Sequence, residues 1–92
     1  MELISFHNIQ NFLIELPGWK FENKCLVKEF KFNDYMAGIT FVNRLAEQAE
    51  GENHHPDLEI GWCRVLVSCT SHDLGGVTDK DVMLAKIAEE LF

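Results

Sequence analysis

Apolar residues recur along this chain first at helical spacing and then in alternation, and the switches between the two periods divide it into seven elements. Ile9, Phe12, Leu13 and Leu16 repeat as one helix face behind Ser5, a good N-cap, which predicts a first helix over about residues 6–16. Leu16-Pro17-Gly18 stops it. Trp19–Glu22 and Cys25–Phe32 then flank Asn23-Lys24 as a hairpin, although the turn is not of the strong Asn-Gly type. Phe30 and Phe32 share a face from which Lys28 departs, so the alternation is imperfect. Asn33 or Asp34 caps a second helix to about Glu50, with Tyr35, Ile39, Val42, Leu45, Ala46 and Ala49 as its apolar stripe. Gly51-Glu52-Asn53 is expected to break it. Leu58–Trp62 and Arg64–Ser71 read as a second strand pair, turning near Gly61-Trp62-Cys63. Thr78 and Asp81 have capping-box spacing, with Asp in place of the usual Glu, ahead of a third helix through Val82, Ala85, Ala88 and Leu91. The order α-β-β-α-β-β-α suits an α+β two-layer domain, a four-stranded antiparallel sheet with three helices on one face.

Ninety-two residues make one domain, residues 1–92, near the small end of what buries a core unaided, so self-association is expected. The formal charge of −7 is unevenly spread. Residues 1–44 carry five Lys or Arg against five Asp or Glu, and residues 45–92 carry three against ten. So acidic a second half repels nucleic-acid backbones and anionic membranes and suits a neutral or cationic small ligand. Three cysteines without framework spacing, no apolar run of membrane-spanning length and no signal-like start at Met1-Glu-Leu-Ile-Ser5 point to the cytoplasm.

The acidic half also holds three of the four histidines. His54 and His55 follow a helix end and precede Pro56, while His72 precedes Asp73-Leu74-Gly75-Gly76, so both segments read as shaped loops. Imidazole moves protons near neutral pH, which makes the cluster a candidate site. Adjacent residues in extended backbone point to opposite sides, so His54 and His55 are not expected to do the same job. His7 stands alone on a helix and reads as a surface residue. Three histidines and a carboxylate are a zinc-like set, but the adjacent pair lacks helical ligand spacing and the cysteines lack CxxC pairing, so no metal is expected. Cys63 and Cys69 are expected to share one strand face and to be packed. Gly75-Gly76 before a helix hints at a phosphate cradle, yet neither GxGxxG nor a P-loop is present.

The run Glu50-x-x-x-His54-His55-Pro56, five residues, Trp62, nine residues, His72, eight residues, Asp81 resembles the signature of the pterin-4a-carbinolamine dehydratases, the dimerization cofactor family. Leu16-Pro-Gly-Trp19, Phe30-Lys-Phe32, Phe41-Val-Asn-Arg44 and Ser71-His-Asp-x-Gly-Gly-Val-Thr78 extend the likeness over nearly the whole chain. Trp62 stands where Tyr is more usual, and Val77 and Cys69 where Leu is. The resemblance implies the sheet-and-three-helix fold in dimers or tetramers. It implies dehydration of 4a-hydroxytetrahydropterin to quinonoid dihydropterin, in tetrahydrobiopterin recycling, without cofactor or metal. On that reading His54 and His72 are the acid/base pair, His55 holds the pterin and Glu50 orients or charges an imidazole. Pro56, Ser71, Asp73 and Leu74 line the pocket, Trp62 affects its width, and Asp81 is a helix cap or a site residue. The family also contains protein-binding modules that stabilise a transcription-factor dimer, and some other pterin is a further alternative substrate.

Overall fold

In the computed structural model, which describes residues 2–92, the seven elements follow in the expected order. Helix α1 (Phe6–Ile14) starts where Ser5 accepts a hydrogen bond from the Asn8 amide at 3.2 Å. It ends earlier than its apolar spacing suggests. The Glu15 and Leu16 amides reach back only three residues, to the carbonyls of Phe12 and Leu13, which tightens the last turn ahead of Pro17. Leu16 and Trp19 still enter the core, carried by the turn.

Strands β1 (Lys20–Glu22) and β2 (Cys25–Lys31) form a hairpin closed by Glu22 opposite Cys25. Both turn residues are left-handed, Asn23 at φ 49° and Lys24 at φ 63°, as a type I′ turn requires. Asn visits this region readily and Lys does not, so an outside contact helps to hold the turn. Thr70 Oγ1 donates to the Lys24 carbonyl at 2.8 Å.

Strand β4 (Arg64–Cys69) lies between β2 and β3 (Asp57–Gly61), giving the antiparallel order β1-β2-β4-β3. Alternation on β4 is strict. Val65, Val67 and Cys69 are fully buried beneath the helices, while Leu66 and Ser68 turn to the opposite face. On β2 the residue that breaks the pattern, Lys28, sits on the buried side between Leu26 and Phe30. Its ammonium reaches the Pro17 carbonyl at 3.0 Å and Glu89 Oε1 at 2.5 Å, and lies 4.8 Å above the Phe30 ring. The stem therefore packs while the charge is paired.

Helix α2 (Tyr35–Glu52) is capped by Asp34, which accepts from the Ala37 amide at 2.7 Å. It buries Gly38, Phe41, Leu45 and Ala49, so its inward face is rotated from the expected stripe. Tyr35 and Ala46 are exposed, and Ile39 and Val42 form the margin. Phe41 decides the rotation by lodging 4.9 Å from the Phe30 ring and 5.4 Å from Phe32. Burying a side chain of this size contributes about 1.5–3 kcal/mol, more than Ala46 could return from the same position. Gly38 lies beside this contact, where an added Cβ would meet the Phe32 ring at 3.4 Å, an ordinary van der Waals distance. Helix α3 (Asp79–Leu91) packs Val82, Leu84, Ala85 and Ala88 into the remaining core against α2, β2 and β4.

Candidate active site

The end of α2 aims the first histidine. The helix runs through Gly51, and the left-handed residue is Asn53 at φ 51°. The Asn53 amide donates to the Glu50 carbonyl and the His54 amide to the Ala49 carbonyl, both at 3.1 Å, which closes a Schellman motif. His54 thus leaves the helix in a fixed direction, and Pro56 carries the chain into β3. The second loop is closed by Ser71 and Gly76, which pair as an isolated antiparallel bridge. Between them the Leu74 and Gly75 amides donate to the Ser71 carbonyl at 3.0 and 2.9 Å, with Gly75 at φ 74°. Because Asp57 at the start of β3 lies opposite Ser68 near the end of β4, both loops open at one end of the sheet.

Each histidine there has its own carboxylate. His54 Nε2 lies 2.6 Å from Asp81 Oδ1, His55 Nε2 lies 2.6 Å from Glu50 Oε1, and His72 Nε2 lies 3.2 Å from Asp57 Oδ2. An ionised carboxylate only accepts, so Nε2 carries the proton in each pair and Nδ1 is left for other chemistry. The pairs differ in surroundings. Asp81 is fully buried and the His54 side chain is 13% exposed, whereas the His55 and His72 side chains are 56% and 74% exposed. His54 turns inward and His55 outward, as extended geometry requires of neighbours.

Asp81 caps α3 and at the same time holds the His54 ring. Its Oδ2 accepts from the Thr78 amide at 2.9 Å within the capping box of α3, and from Ser71 Oγ at 2.8 Å. Ser71 Oγ is also 2.8 Å from Thr78 Oγ1 and 3.5 Å from His54 Nε2. A buried carboxylate costs several kcal/mol unless its lone pairs are satisfied, and these donors satisfy them. The result is a buried, hydrogen-bonded anchor at the Nε2 edge of the His54 ring.

Several sequence expectations need correction. Ser71 is 1% exposed, so it belongs to the anchor behind His54 and does not line an open pocket. Asp73 and Leu74 are exposed in the His72 loop, and Pro56 is half-buried. Trp62 sits in the β3–β4 turn, about 16 Å along the strand from Asp57 at roughly 3.3 Å per residue, and so lies at the other end of the strand from the histidines. Cys63 is in that same turn at φ 58° and so shares no strand face with Cys69. Burial, with the Asp81 charge as the next cause, pushes the Cys69 thiol far above its ordinary range, which leaves it a packing group. Asp57 and Thr78 were not singled out as site residues. Spacing offered a signal for Thr78, its place in the capping box, and for Asp57 only its position after Pro56. Among the described residues no three His, Cys, Asp or Glu side chains converge as a metal site. A concavity of about 500 Å³ on the helix-free sheet face, lined by residues such as Lys20, Val27 and Leu66, contains no histidine.

Residues 2–91 match the family model described as pterin 4 alpha carbinolamine dehydratase. A relative from Thermosynechococcus vestitus, provisionally named a pterin-4-alpha-carbinolamine dehydratase, is 48% identical over 90 residues, covering 98% of this chain and 95% of its own. A crystal structure of a transcriptional coactivator/pterin dehydratase from Brucella melitensis superposes with a TM-score of 0.95 at 26% identity, covering 98% of both chains. A pterin dehydratase-like protein identified as a RuBisCO assembly factor in the alpha-carboxysome shares the fold, with a TM-score of 0.65 at 22% identity over 79% of this chain and 84% of its own.

Proposed function

Because the chain belongs to the pterin 4 alpha carbinolamine dehydratase family, we propose that it dehydrates 4a-hydroxytetrahydropterin to quinonoid dihydropterin, using His54 and His72 as the acid/base pair. The N5 lone pair forms a double bond to C4a as the C4a–O bond breaks. An acid delivers a proton to the departing oxygen, which leaves as water, and a base removes a proton from ring nitrogen. Only two proton transfers are needed, so the reaction requires neither cofactor nor metal. Groups able to exchange protons near neutral pH are suited to both.

The observation that carries this reading is the set of three histidines on one rim, each with Nε2 on a carboxylate. Such a carboxylate fixes the tautomer and favours the imidazolium formed in mid-reaction. The buried Asp81 does this for His54, and Asp57 does it for His72. Glu50 orients His55, which helps to hold the pterin, and the loop residues Pro56, Asp73 and Leu74 border it. The physiological context is tetrahydrobiopterin recycling in the cytoplasm, by a homodimer or homotetramer. The test is the rate of loss of 4a-carbinolamine absorbance with and without protein, after exhaustive chelation. Acceleration that survives chelation is expected. No acceleration refutes the reading, and activity lost on chelation but restored by zinc refutes its metal-free form.

The name of the Brucella melitensis protein supports a second reading, a coactivator that binds a transcription factor. Capture of a helical partner by protein devoid of turnover would favour it.

A further inference from the structure

The His72 loop borders a second feature. A cleft of about 230 Å³ opens between it and the β1–β2 turn, lined by Asn23, Lys24, Cys25, Thr70, His72 and Gly75. In a chain of net charge −7 this lining contains one lysine and no carboxylate. Lys24 is exposed, and among the described residues no carboxylate pairs with its ammonium. The wall that carries it is anchored, since Thr70 Oγ1 holds the Lys24 carbonyl at 2.8 Å two residues before His72. His72 therefore stands between unlike surroundings, with Asp57 on its β3 side and Lys24 across the cleft.

We propose that this cleft is a specificity site for the substituent on C6 of the pterin, and that Lys24 selects substituents that carry a negative charge. The proposal rests on the dehydratase reading for its ligand. Covalent geometry then does the rest. C6 is bonded to N5, and N5 to C4a, so a ring whose N5 or C4a is served by His72 brings its C6 substituent close to that imidazole, on whose far side from Asp57 the cleft opens. The cleft provides space there, and a lysine without a partner provides an attractive charge for an anion. Because Lys24 is exposed, the attraction weakens as salt is added.

The test uses Lys24→Asn, which removes the charge yet suits the left-handed backbone, and Lys24→Arg, which restores it. Binding of 6-carboxypterin and 6-methylpterin is followed by pterin fluorescence, and turnover of 4a-carbinolamines bearing anionic or methyl C6 groups is measured beside it. Lys24→Asn should weaken 6-carboxypterin by roughly tenfold at low salt, the effect of one partly exposed charge-assisted contact, and leave 6-methylpterin unchanged. In turnover the same preference should appear in KM with kcat held, and Lys24→Arg should recover both. Equal effects on the two pterins, or none on either, overturn the cleft proposal even if turnover is robust. A Lys24-dependent preference in binding with no turnover of either carbinolamine upholds the cleft and refutes the dehydratase reading instead.

Discussion

Asp81→Asn separates the two tasks of the buried carboxylate, because the carboxamide keeps its shape and loses its charge. One amide oxygen can still accept from the Thr78 amide and Ser71 Oγ, now 2.9 and 2.8 Å away, so the capping box survives in neutral form. The amide nitrogen then faces His54 Nε2, which lies 2.6 Å from Asp81 Oδ1. Two N–H groups cannot share that contact, so the ring must place its proton on Nδ1 and accept at Nε2. The nitrogen left for substrate then changes from lone pair to donor, and the imidazolium loses its counter-charge. Exchanging charge-assisted for neutral hydrogen bonds at a site 0% exposed should cost about 1–2 kcal/mol, read as a melting temperature lower by roughly 5–15 °C. The effect on rate should be larger. Disabling a general acid or base costs about 10²–10⁴-fold, and a ring held in the wrong tautomer should fall near 10²–10³-fold in kcat with pterin affinity little changed. Single-turnover decay of the 4a-carbinolamine measures this, with circular dichroism to verify the fold. Ser71→Ala is the control, since it removes one hydrogen bond to the same carboxylate but leaves the charge, and should keep kcat within about fivefold while costing about 1 kcal/mol. A folded Asp81→Asn protein with kcat within about threefold of the parent would refute the coupling of Asp81 to His54.

Asp57→Asn should slow turnover by roughly tenfold, less than Asp81→Asn, because the His72 pair is exposed and solvent replaces part of what the carboxylate gives; a larger loss than at Asp81 would reverse this ranking. Iodoacetamide should label Cys25 and Cys63 in the native protein and Cys69 only after denaturation, and native labelling of Cys69 by mass spectrometry would contradict its burial. Sedimentation at micromolar concentration should show at least a dimer, given the exposed Phe6, Ile14, Met36, Trp62 and Phe92, and a fully active monomer would remove self-association from the account.

Element order and the two hairpin pairs were legible from the spacing of apolar residues because each element buries one face and each turn carries its own residues, whereas the central β2–β4 pairing joins strands distant in sequence and was not. The Asn23-Lys24 hairpin was found in this way. The rotation of α2 was not, because it depends on where Phe41 meets Phe30 and Phe32, a contact between distant segments. The break expected over Gly51-Glu52-Asn53 falls on its last residue, Asn53, whose left-handed conformation closes the Schellman motif and directs His54. The histidines were visible as a cluster, and the resemblance assigned their roles. Their partners were less visible. The pairing of His72 with Asp57 arises only when β3 and β4 lie side by side, and the burial of Ser71 beneath His54 needs α3 in place. Trp62 shows the opposite limit, a position fixed in the family spacing that antiparallel pairing carries to the far end of the sheet.

The central claim is that His54 and His72 exchange the two protons of the dehydration. Its most direct test is the single-turnover rate of 4a-carbinolamine loss for His54→Ala and His72→Ala, each verified as folded and compared with His55→Ala. The two acid/base variants should fall by about 10²–10⁴-fold, while His55→Ala acts mainly on pterin affinity. Near-normal turnover by folded His54→Ala or His72→Ala would contradict the claim for that residue.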